Sequence, residues 1–257
     1  MRSRVRIGIL GAGSIGSTVT RRLSQAGHVV KVANSRGPET IDSSLCEFGA
    51  RRVKSDEVVA DVDVLVTSIP FNRMPGIVSL IATLSPEAVI IDTSNYYPHR
   101  DGNVPAIDAG QVESDWVSEI LGRPVVKAWN AITAQSFAAK ASSLGAEGRI
   151  AIPVAGDDAV GRNLAMALVE ETGFDAFDAG SLAESWRQQP ASPVYCTDLT
   201  SQEMPAALAA ADKASVPKMR DLSMALLIEK TQRYTKTGDR FGDWLVEFNR
   251  LIYSTIR

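Results

Sequence analysis

The hydrophobic residues of this chain fall into short, nearly continuous apolar runs that alternate with segments of helical periodicity. Val5–Leu10, Val29–Ala33 and Val62–Thr67 are typical of strands that are buried on both faces. Ile15–Ala26 carries apolar residues at helical spacing. Further strands are predicted at Arg51–Val53, Ala88–Ile91, Pro124–Ala128, Arg149–Ala155 and Phe174–Phe177, and further helices at Thr40–Phe48, Pro75–Leu84 and Ala159–Thr172. The alternation predicts an α/β fold with a parallel sheet covered by helices on both faces.

The C-terminal quarter has a different pattern. Apolar residues from Leu222 to Ile228 and from Trp244 to Ile252 recur at helical spacing and predict two amphipathic helices. Their apolar face could form domain core or a dimer surface, or it could cover a substrate. We expect a nucleotide-binding domain over residues 1–145, followed over 146–257 by a small, mostly helical domain that begins with an α/β part.

The first predicted strand leads directly into a glycine loop, Gly11-x-Gly13-x-x-Gly16. At this spacing Gly11 makes a tight turn, Gly13 lets the backbone approach a pyrophosphate, and Gly16 lets the helix pack closely on the strand. Ser14 and Ile15 complete the loop at the helix N-terminus, where free N–H groups favour a phosphate. Strand, loop, helix and second strand together predict a doubly wound sheet of the Rossmann type that binds a dinucleotide.

The turn after the second strand indicates which dinucleotide is bound. An NAD site has Asp or Glu there, whereas this chain has Asn34-Ser35-Arg36, and no carboxylate occurs before Glu39. A guanidinium and a hydroxyl suit the 2′-phosphate of NADP. The alternative is a solvated turn that carries an arginine, and we favour NADP(H).

Bulk composition agrees with a soluble enzyme. A net charge of −3 gives no electrostatic reason to expect nucleic acid or a membrane surface as partner. No apolar run approaches the roughly 18 residues of a membrane span, and the first strand leaves no room for a signal peptide. Two isolated cysteines and two histidines make a metal site unexpected and suggest the cytoplasm.

Small polar side chains follow several of the predicted strands. Ser68-Ile69-Pro70, Thr93-Ser94-Asn95 and Asn130 lie where ligands bind in open parallel sheets. Each of them alone could be a turn former or a helix cap. As a set they predict a crevice for the nicotinamide and its partner, with Ser68, Asn95, Asn130 and the nearby His99 as positioning candidates.

This crevice is expected to be rich in aromatic residues and poor in proton donors. Hydride transfer between two ring cofactors needs little acid–base assistance, because the rings supply the electronics and the protein supplies proximity. Reduction of a ketone would require a proton donor.

Several of these segments together resemble the deazaflavin (coenzyme F420)-dependent NADP oxidoreductases and their bacterial relatives. The similar segments are the glycine loop, Asn34-Ser35-Arg36, Ser68-Ile69-Pro70, Val126-Lys127-Ala128-Trp129-Asn130 and Gly180-Ser181-Leu182-Ala183-Glu184-Ser185. The resemblance implies a Rossmann domain with a small C-terminal domain and a deazaflavin or flavin acceptor next to the nicotinamide. It also implies a 2′-phosphate site at Ser35 and Arg36 and a phosphate loop at Gly11, Gly13, Ser14 and Ile15.

Two segments depart from the pattern of that family and leave the acceptor open. Tyr96–Gly102 is longer and more aromatic than expected, and residues 196–257 extend beyond the minimal length. His99, Arg100 and Arg187 could bind an acidic substrate or could be solvated charges. The alternatives to a ring acceptor are a small imine or carbonyl substrate and a non-catalytic NADP-binding redox sensor. A homodimer is expected in each case.

Overall fold

A computed structural model describes residues 4–233 and 241–253 of the chain. The strands are β1 (Arg6–Leu10), β2 (Val29–Ala33), β3 (Arg51–Arg52), β4 (Val64–Thr67), β5 (Val89–Asp92), β6 (Val125–Lys127), β7 (Ala151–Val154) and β8 (Asp175–Asp178). The α-helices are α1 (Ser14–Gln25), α2 (Ser55–Val58), α3 (Val78–Ile81), α4 (Pro98–Asp101), α5 (Pro105–Asp108), α6 (Glu113–Leu121), α7 (Ala134–Ala139), α8 (Ala159–Glu171), α9 (Met204–Ala209), α10 (Val216–Arg233) and α11 (Phe241–Tyr253). Short 3₁₀ segments cover Pro38–Thr40, Ser43–Cys46, Phe71–Ile77 and Leu182–Gln188.

The six N-terminal strands form one parallel sheet in the order β3-β2-β1-β4-β5-β6. The strand order reverses between β1 and β4, which is where ligands bind in a doubly wound sheet. The predicted Rossmann-type fold is therefore confirmed. The strands β1, β4 and β5 are buried along most of their length, as expected for the central strands of a parallel sheet that is covered on both faces.

Two apolar layers enclose this sheet. One packs α1 and α8 against it and includes the Phe137–Phe174 ring pair, and the other packs α2, α3 and α6. Gly8 in the centre of β1 permits the second layer to approach closely, since a Cβ there would lie 2.2 Å from the carbonyl oxygen of Val58. Both layers are needed to hold β1 and β4 at the centre of the sheet.

The C-terminal α/β part continues from the edge of the main sheet. β7 and β8 pair in parallel, and the backbone groups of Lys127 and Ala155 exchange hydrogen bonds of 2.7 and 3.0 Å in an antiparallel bridge. The boundary expected after residue 145 stays a prediction.

Two predicted helices differ from the observed backbone. Thr40–Phe48 is not one helix, because Ile41 is extended and the Asp42 carboxylate accepts the N–H of Ser44, which starts a separate 3₁₀ turn. Within the predicted helix Pro75–Leu84, the chain is 3₁₀ up to Ile77 and α-helical only over α3. Pro75 has no N–H to donate within the 3₁₀ segment.

The helical C-terminal part is confirmed. α11 packs on α7, where the Gln135 Oε1 accepts the N–H of Gly242 at 2.6 Å. Leu222, Leu226 and Leu251 of α10 and α11 stay 52–76% exposed. No helix within 4–233 and 241–253 combines the length and the apolar character that a bilayer span requires.

Candidate functional site

The glycine loop has the geometry that its spacing predicts. Gly11 has a φ of +117°, and its N–H donates to the carbonyl oxygen of Ala33 at 2.8 Å, which ties the loop to the end of β2. A Cβ on Gly16 would lie 1.9 Å from the oxygen of Gly11, so only glycine lets α1 begin this close to β1. These two positions are constrained by the protein itself.

No neighbouring protein atom requires a glycine at position 13. Gly13 is the N-cap of α1, no side chain caps the helix, and an added Cβ would meet no atom within 4 Å. The N–H groups of the first turn of a helix have no partner within the helix. The residues present therefore fit a pyrophosphate: open space and free donors lie together at a positive helix end.

In the turn after β2, one polar side chain is used in hydrogen bonds within the turn and two are exposed. The Asn34 Oδ1 accepts the N–H of Arg36 at 2.9 Å, and its Nδ2 donates to the Thr40 hydroxyl at 2.9 Å, so this side chain shapes the turn. Ser35 and Arg36 are exposed, and no ion pair of Arg36 occurs in the described part of the chain. Arg36 is thus available to a phosphate at the end of β2.

A cleft of about 440 Å³ opens at the carboxyl ends of β1, β4, β5 and β6. It brings together most of the predicted site residues with residues from the C-terminal part. Its lining includes Gly13, Ser14, Ile15, Ser68, Ile69, Pro70, Thr93, Ser94, Asn95, Tyr97, Arg100, Trp129, Asn130, Tyr195, Cys196 and Leu245. Gly11, Gly16, Asn34, Ser35 and Arg36 are not in this lining. The two glycines lie at the packed base of the loop, and the other three residues follow the neighbouring strand β2.

Asn130 is the centre of a buried hydrogen-bond network. Its Nδ2 donates to the Asn95 Oδ1 at 3.0 Å and to the carbonyl oxygen of Gln188 at 2.8 Å, and its Oδ1 accepts from the Gln188 Nε2 at 2.9 Å. The Asn95 Nδ2 donates in return to the carbonyl oxygen of Asn130 at 3.0 Å. Asn130 therefore positions Asn95 and joins β6 to the C-terminal part, and both N–H donors of its side-chain amide are already used.

Two tyrosine hydroxyls meet on the side of the cleft that Asn95 and Asn130 line. The Oη atoms of Tyr97 and Tyr195 lie 2.5 Å apart, and the Asn95 Nδ2 is 3.4 Å from the Tyr195 Oη. Burial raises the pKa of both side chains, so they are neutral hydrogen-bond donors near pH 7. The cleft is therefore not poor in proton donors, because the fold brings Tyr195 to Tyr97 from 98 residues further along the chain.

A buried ion pair supports this side of the cleft from below. The Lys127 Nζ lies 2.9 Å from the Asp92 Oδ2 and also donates to the carbonyl oxygen of Ser94, and both charged side chains are fully buried. Asp92 in addition accepts the N–H and the hydroxyl of Ser94 at 3.0 and 3.1 Å. The strand-end carboxylate therefore fixes the Thr93–Asn95 turn and is not available to a substrate.

The segment after Asn95 is also held by charged groups. The Glu113 Oε2 accepts the N–H of Tyr96 at 3.1 Å, and burial raises the pKa of Glu113 to about 7. The Arg100 Nη2 donates to the carbonyl oxygen of Asn95 at 2.7 Å, and its guanidinium lies 5.2 Å from the centre of the Tyr97 ring. His99 is exposed and outside the lining, with its ring 5.8 Å from that of Tyr97.

Two residues of the lining have a left-handed backbone although they are not glycine. Trp129 has a φ of +56° and Cys196 a φ of +55°, and they directly precede Asn130 and directly follow Tyr195. Such backbone strain is typical of functional sites, where the surrounding packing maintains it. The V-K-A-W-N segment was visible in the sequence, whereas Tyr195 carried no motif that would have singled it out.

Within residues 4–233 and 241–253, no group of three or more His, Cys, Asp or Glu side chains lies close enough together to hold a metal ion.

Comparisons with known proteins agree with this geometry. The family model described as "NADP oxidoreductase coenzyme F420-dependent" matches residues 6–96. The protein YjhV of Escherichia coli (strain K12) is 50% identical over 60 residues, which are 23% of this chain and 44% of YjhV, so the match spans less than half of that relative.

Solved structures share the fold over most of the chain. The hypothetical protein SMa0349 from Sinorhizobium meliloti superimposes with a TM-score of 0.65 and 26% identity, covering 78% of this chain and 97% of that one. A "putative F420 dependent NADP-reductase" from Arthrobacter sp. FB24 has a TM-score of 0.54 and 18% identity, covering 70% and 87%. The family model confirms the resemblance to the coenzyme F420-dependent NADP oxidoreductases over residues 6–96, and the solved structures show the shared fold.

Proposed function

We propose that this protein is an NADP-dependent oxidoreductase that transfers a hydride between NADP(H) and a deazaflavin or flavin-like ring. The observation that carries the proposal is the cleft of about 440 Å³ at the N-terminus of α1. Its volume lies within the range of roughly 300–1,000 Å³ that is common for small-molecule sites.

The nucleotide would lie along the carboxyl ends of β2, β1 and β4. Arg36 and Ser35 would hold the 2′-phosphate, and the N–H groups that follow Gly13 would hold the pyrophosphate. Ser68, Ile69 and Pro70 line the cleft beside this loop and would contact the nicotinamide end. NADPH supplies the hydride when bound.

The acceptor would lie opposite, against Asn95, Tyr97 and Tyr195. Of the two tyrosine hydroxyls one donates to the other, so one O–H remains to donate to a carbonyl or ring nitrogen of the acceptor. A flat ring would stack favourably against the aromatic side chains of Tyr97 and Tyr195. The proton that accompanies the hydride comes from solvent. The protein contributes orientation and exclusion of water more than acid–base chemistry.

Purified protein mixed with NADPH and a deazaflavin tests the proposal directly. We expect the absorbance of oxidised deazaflavin and of NADPH to fall together in a one-to-one ratio. NADPH that binds tightly and is oxidised by no deazaflavin, flavin, imine or carbonyl compound would identify a redox sensor and contradict an enzymatic role.

The tyrosine pair favours a second candidate, a reductase of a small imine or carbonyl compound. There the hydride goes to the carbon atom, and the Tyr97–Tyr195 pair would supply the proton to the nitrogen or oxygen. Tyr195→Phe separates the two: we expect a loss of less than about tenfold with a ring acceptor, against about 10²–10⁴ if the hydroxyl is the acid. NADPH affinity must stay unchanged for either conclusion.

We further propose a homodimer formed through the exposed apolar residues of α10 and α11. Leu226→Glu should shift the mass measured by light scattering from dimer to monomer. Val160→Glu, on the 76% exposed Val160 of α8, is the matched control and should leave the dimer intact. A monomeric wild type would contradict the proposal.

A further inference from the structure

A second cavity, of about 220 Å³, lies between α5, the start of α6, the end of the 3₁₀ segment Leu182–Gln188 and the start of α10. It shares no lining residue with the cleft described above. Its walls combine apolar side chains (Val112, Trp186, Val216) with polar and charged ones (Glu113, Gln189, Lys213, Arg220). Such a mixture around an enclosed space is typical of a site for a small polar molecule.

Arg220 is the main reason to expect an anion there. Its side chain is only 8% exposed, its Nε donates to the Asp221 Oδ1 at 2.8 Å, and its guanidinium lies 5.0 Å from the centre of the Tyr96 ring. The two Nη atoms make no hydrogen bond to any residue in 4–233 or 241–253 that the structure gives. A buried guanidinium with four such N–H donors on a cavity favours an acceptor-rich ligand.

Gln189 also belongs to the lining of this cavity. The residue is 9% exposed, and its buried Nε2 has no hydrogen-bond partner within the described residues. An amide nitrogen in this state costs free energy unless a ligand accepts its hydrogen bonds. Lys213 lies at the rim, with its Nζ 5.9 Å from the centre of the Trp186 ring.

Glu113 restricts the charge of the anion. Its carboxyl group is buried in the same wall, and burial raises its pKa to about 7. Near neutral pH it is therefore partly protonated and compatible with a neighbouring monoanion. A phosphate dianion would meet three lining carboxyl groups, those of Asp108, Glu113 and Asp221, with Arg220 as the buried cation to balance them.

We propose that this cavity binds a small monocarboxylate. The carboxylate would accept from the Nη atoms of Arg220 in the planar, two-pronged geometry that guanidinium offers, and from the Gln189 amide. The apolar body of the ligand would lie against Trp186 and Val216. This site is separate from the hydride-transfer cleft and does not depend on the function proposed for it.

Calorimetric titration of the full-length protein with sodium benzoate, in a phosphate-free buffer at constant ionic strength, tests the site. Arg220→Gln should weaken benzoate binding by about 10- to 150-fold, the effect of losing a charge-assisted hydrogen bond. Arg187→Gln is the matched control, because Arg187 also contacts the Trp186 ring, at 4.3 Å, but does not line the cavity.

A second variant covers the possibility that Arg220→Gln fails to fold. Gln189→Leu removes only an amide whose Nε2 has no described partner, and it should weaken benzoate by about 2- to 10-fold. Equal affinity in wild type and both variants, displacement of benzoate by NADPH, or tighter binding of inorganic phosphate than of benzoate would each overturn the proposal.

Discussion

The proposed nucleotide side and the proposed acceptor side of the candidate site are built in different ways. The nucleotide side consists of turns that directly follow β1, β2 and β4, and its key groups are backbone atoms and exposed side chains. The acceptor side consists of Asn95, Tyr97, Asn130 and Tyr195, which a buried hydrogen-bond network holds in place. The first side can therefore lose a ligand contact without loss of fold, whereas changes on the second act on stability as well.

The strongest test of this difference is Gly13→Val. A Cβ added at Gly13 meets no protein atom within 4 Å, so we expect the fold to survive, and the valine side chain occupies the space proposed for the pyrophosphate. We expect loss of NADPH affinity by more than about 10³-fold, or roughly 4 kcal/mol, measured by fluorescence titration. Gly76→Val is the control, since Gly76 also has open space. Normal NADPH binding by Gly13→Val would mean that the loop is an ordinary turn.

On the acceptor side, Asn130→Ala should mainly reduce stability. It leaves the Asn95 Oδ1 and the carbonyl oxygen of Gln188 without their partners, at about 1–3 kcal/mol for each buried group. We expect the free energy of unfolding in urea to fall by about 2–4 kcal/mol, whereas the exposed His99→Ala should change it by less than about 0.5 kcal/mol. An Asn130→Ala protein as stable as wild type would contradict the expectation that changes on the proposed acceptor side reduce stability.

Glu113→Gln should change how stability depends on pH. The pKa of Glu113 rises from the 4.5 of an exposed glutamate to about 7 on folding, mainly through burial. Between these two values the folded state binds more protons than the unfolded state, so its stability falls as the pH rises, and it levels off above pH 7.

A glutamine has no such titration and can still accept the N–H of Tyr96. Relative to wild type, the free energy of unfolding of the variant should rise by about 2–3 kcal/mol between pH 4.5 and pH 8. Urea unfolding midpoints at each pH measure this difference. Glu119→Gln, exposed on the same helix, is the control. Parallel pH profiles of wild type and Glu113→Gln would show that this carboxyl group is not buried against Tyr96.

Arg36→Ala should have the smallest effect, confined to one ligand. We expect NADP affinity to fall by about 10- to 150-fold, equivalent to about 1.5–3 kcal/mol, while NAD affinity and stability stay nearly constant. The exposed Arg21→Ala on α1 serves as control. Equal losses for NADP and NAD would place Arg36 away from the 2′-phosphate.

The sequence by itself determined the order of the strands β1 to β8, the glycine loop and the position of Arg36, whereas the helices α4 to α7 were not predicted. These features are local. The strands are continuous apolar runs, and the conformation of the glycine loop depends on residues that are close together in the sequence. The same locality explains the two errors in the helices, because the Asp42 cap and Pro75 altered short segments that apolar spacing alone could not resolve.

Only the tertiary structure decided how the acceptor side is assembled. The Tyr97–Tyr195 pair, the Asn95–Asn130–Gln188 network and the Asp92–Lys127 ion pair join residues that are 35 to 98 positions apart. Whether a tyrosine or an asparagine at such a position lies in a site or on the surface depends on how the C-terminal part packs on β5 and β6. That packing results from the sum of many weak apolar contacts and leaves no periodic signal in the chain.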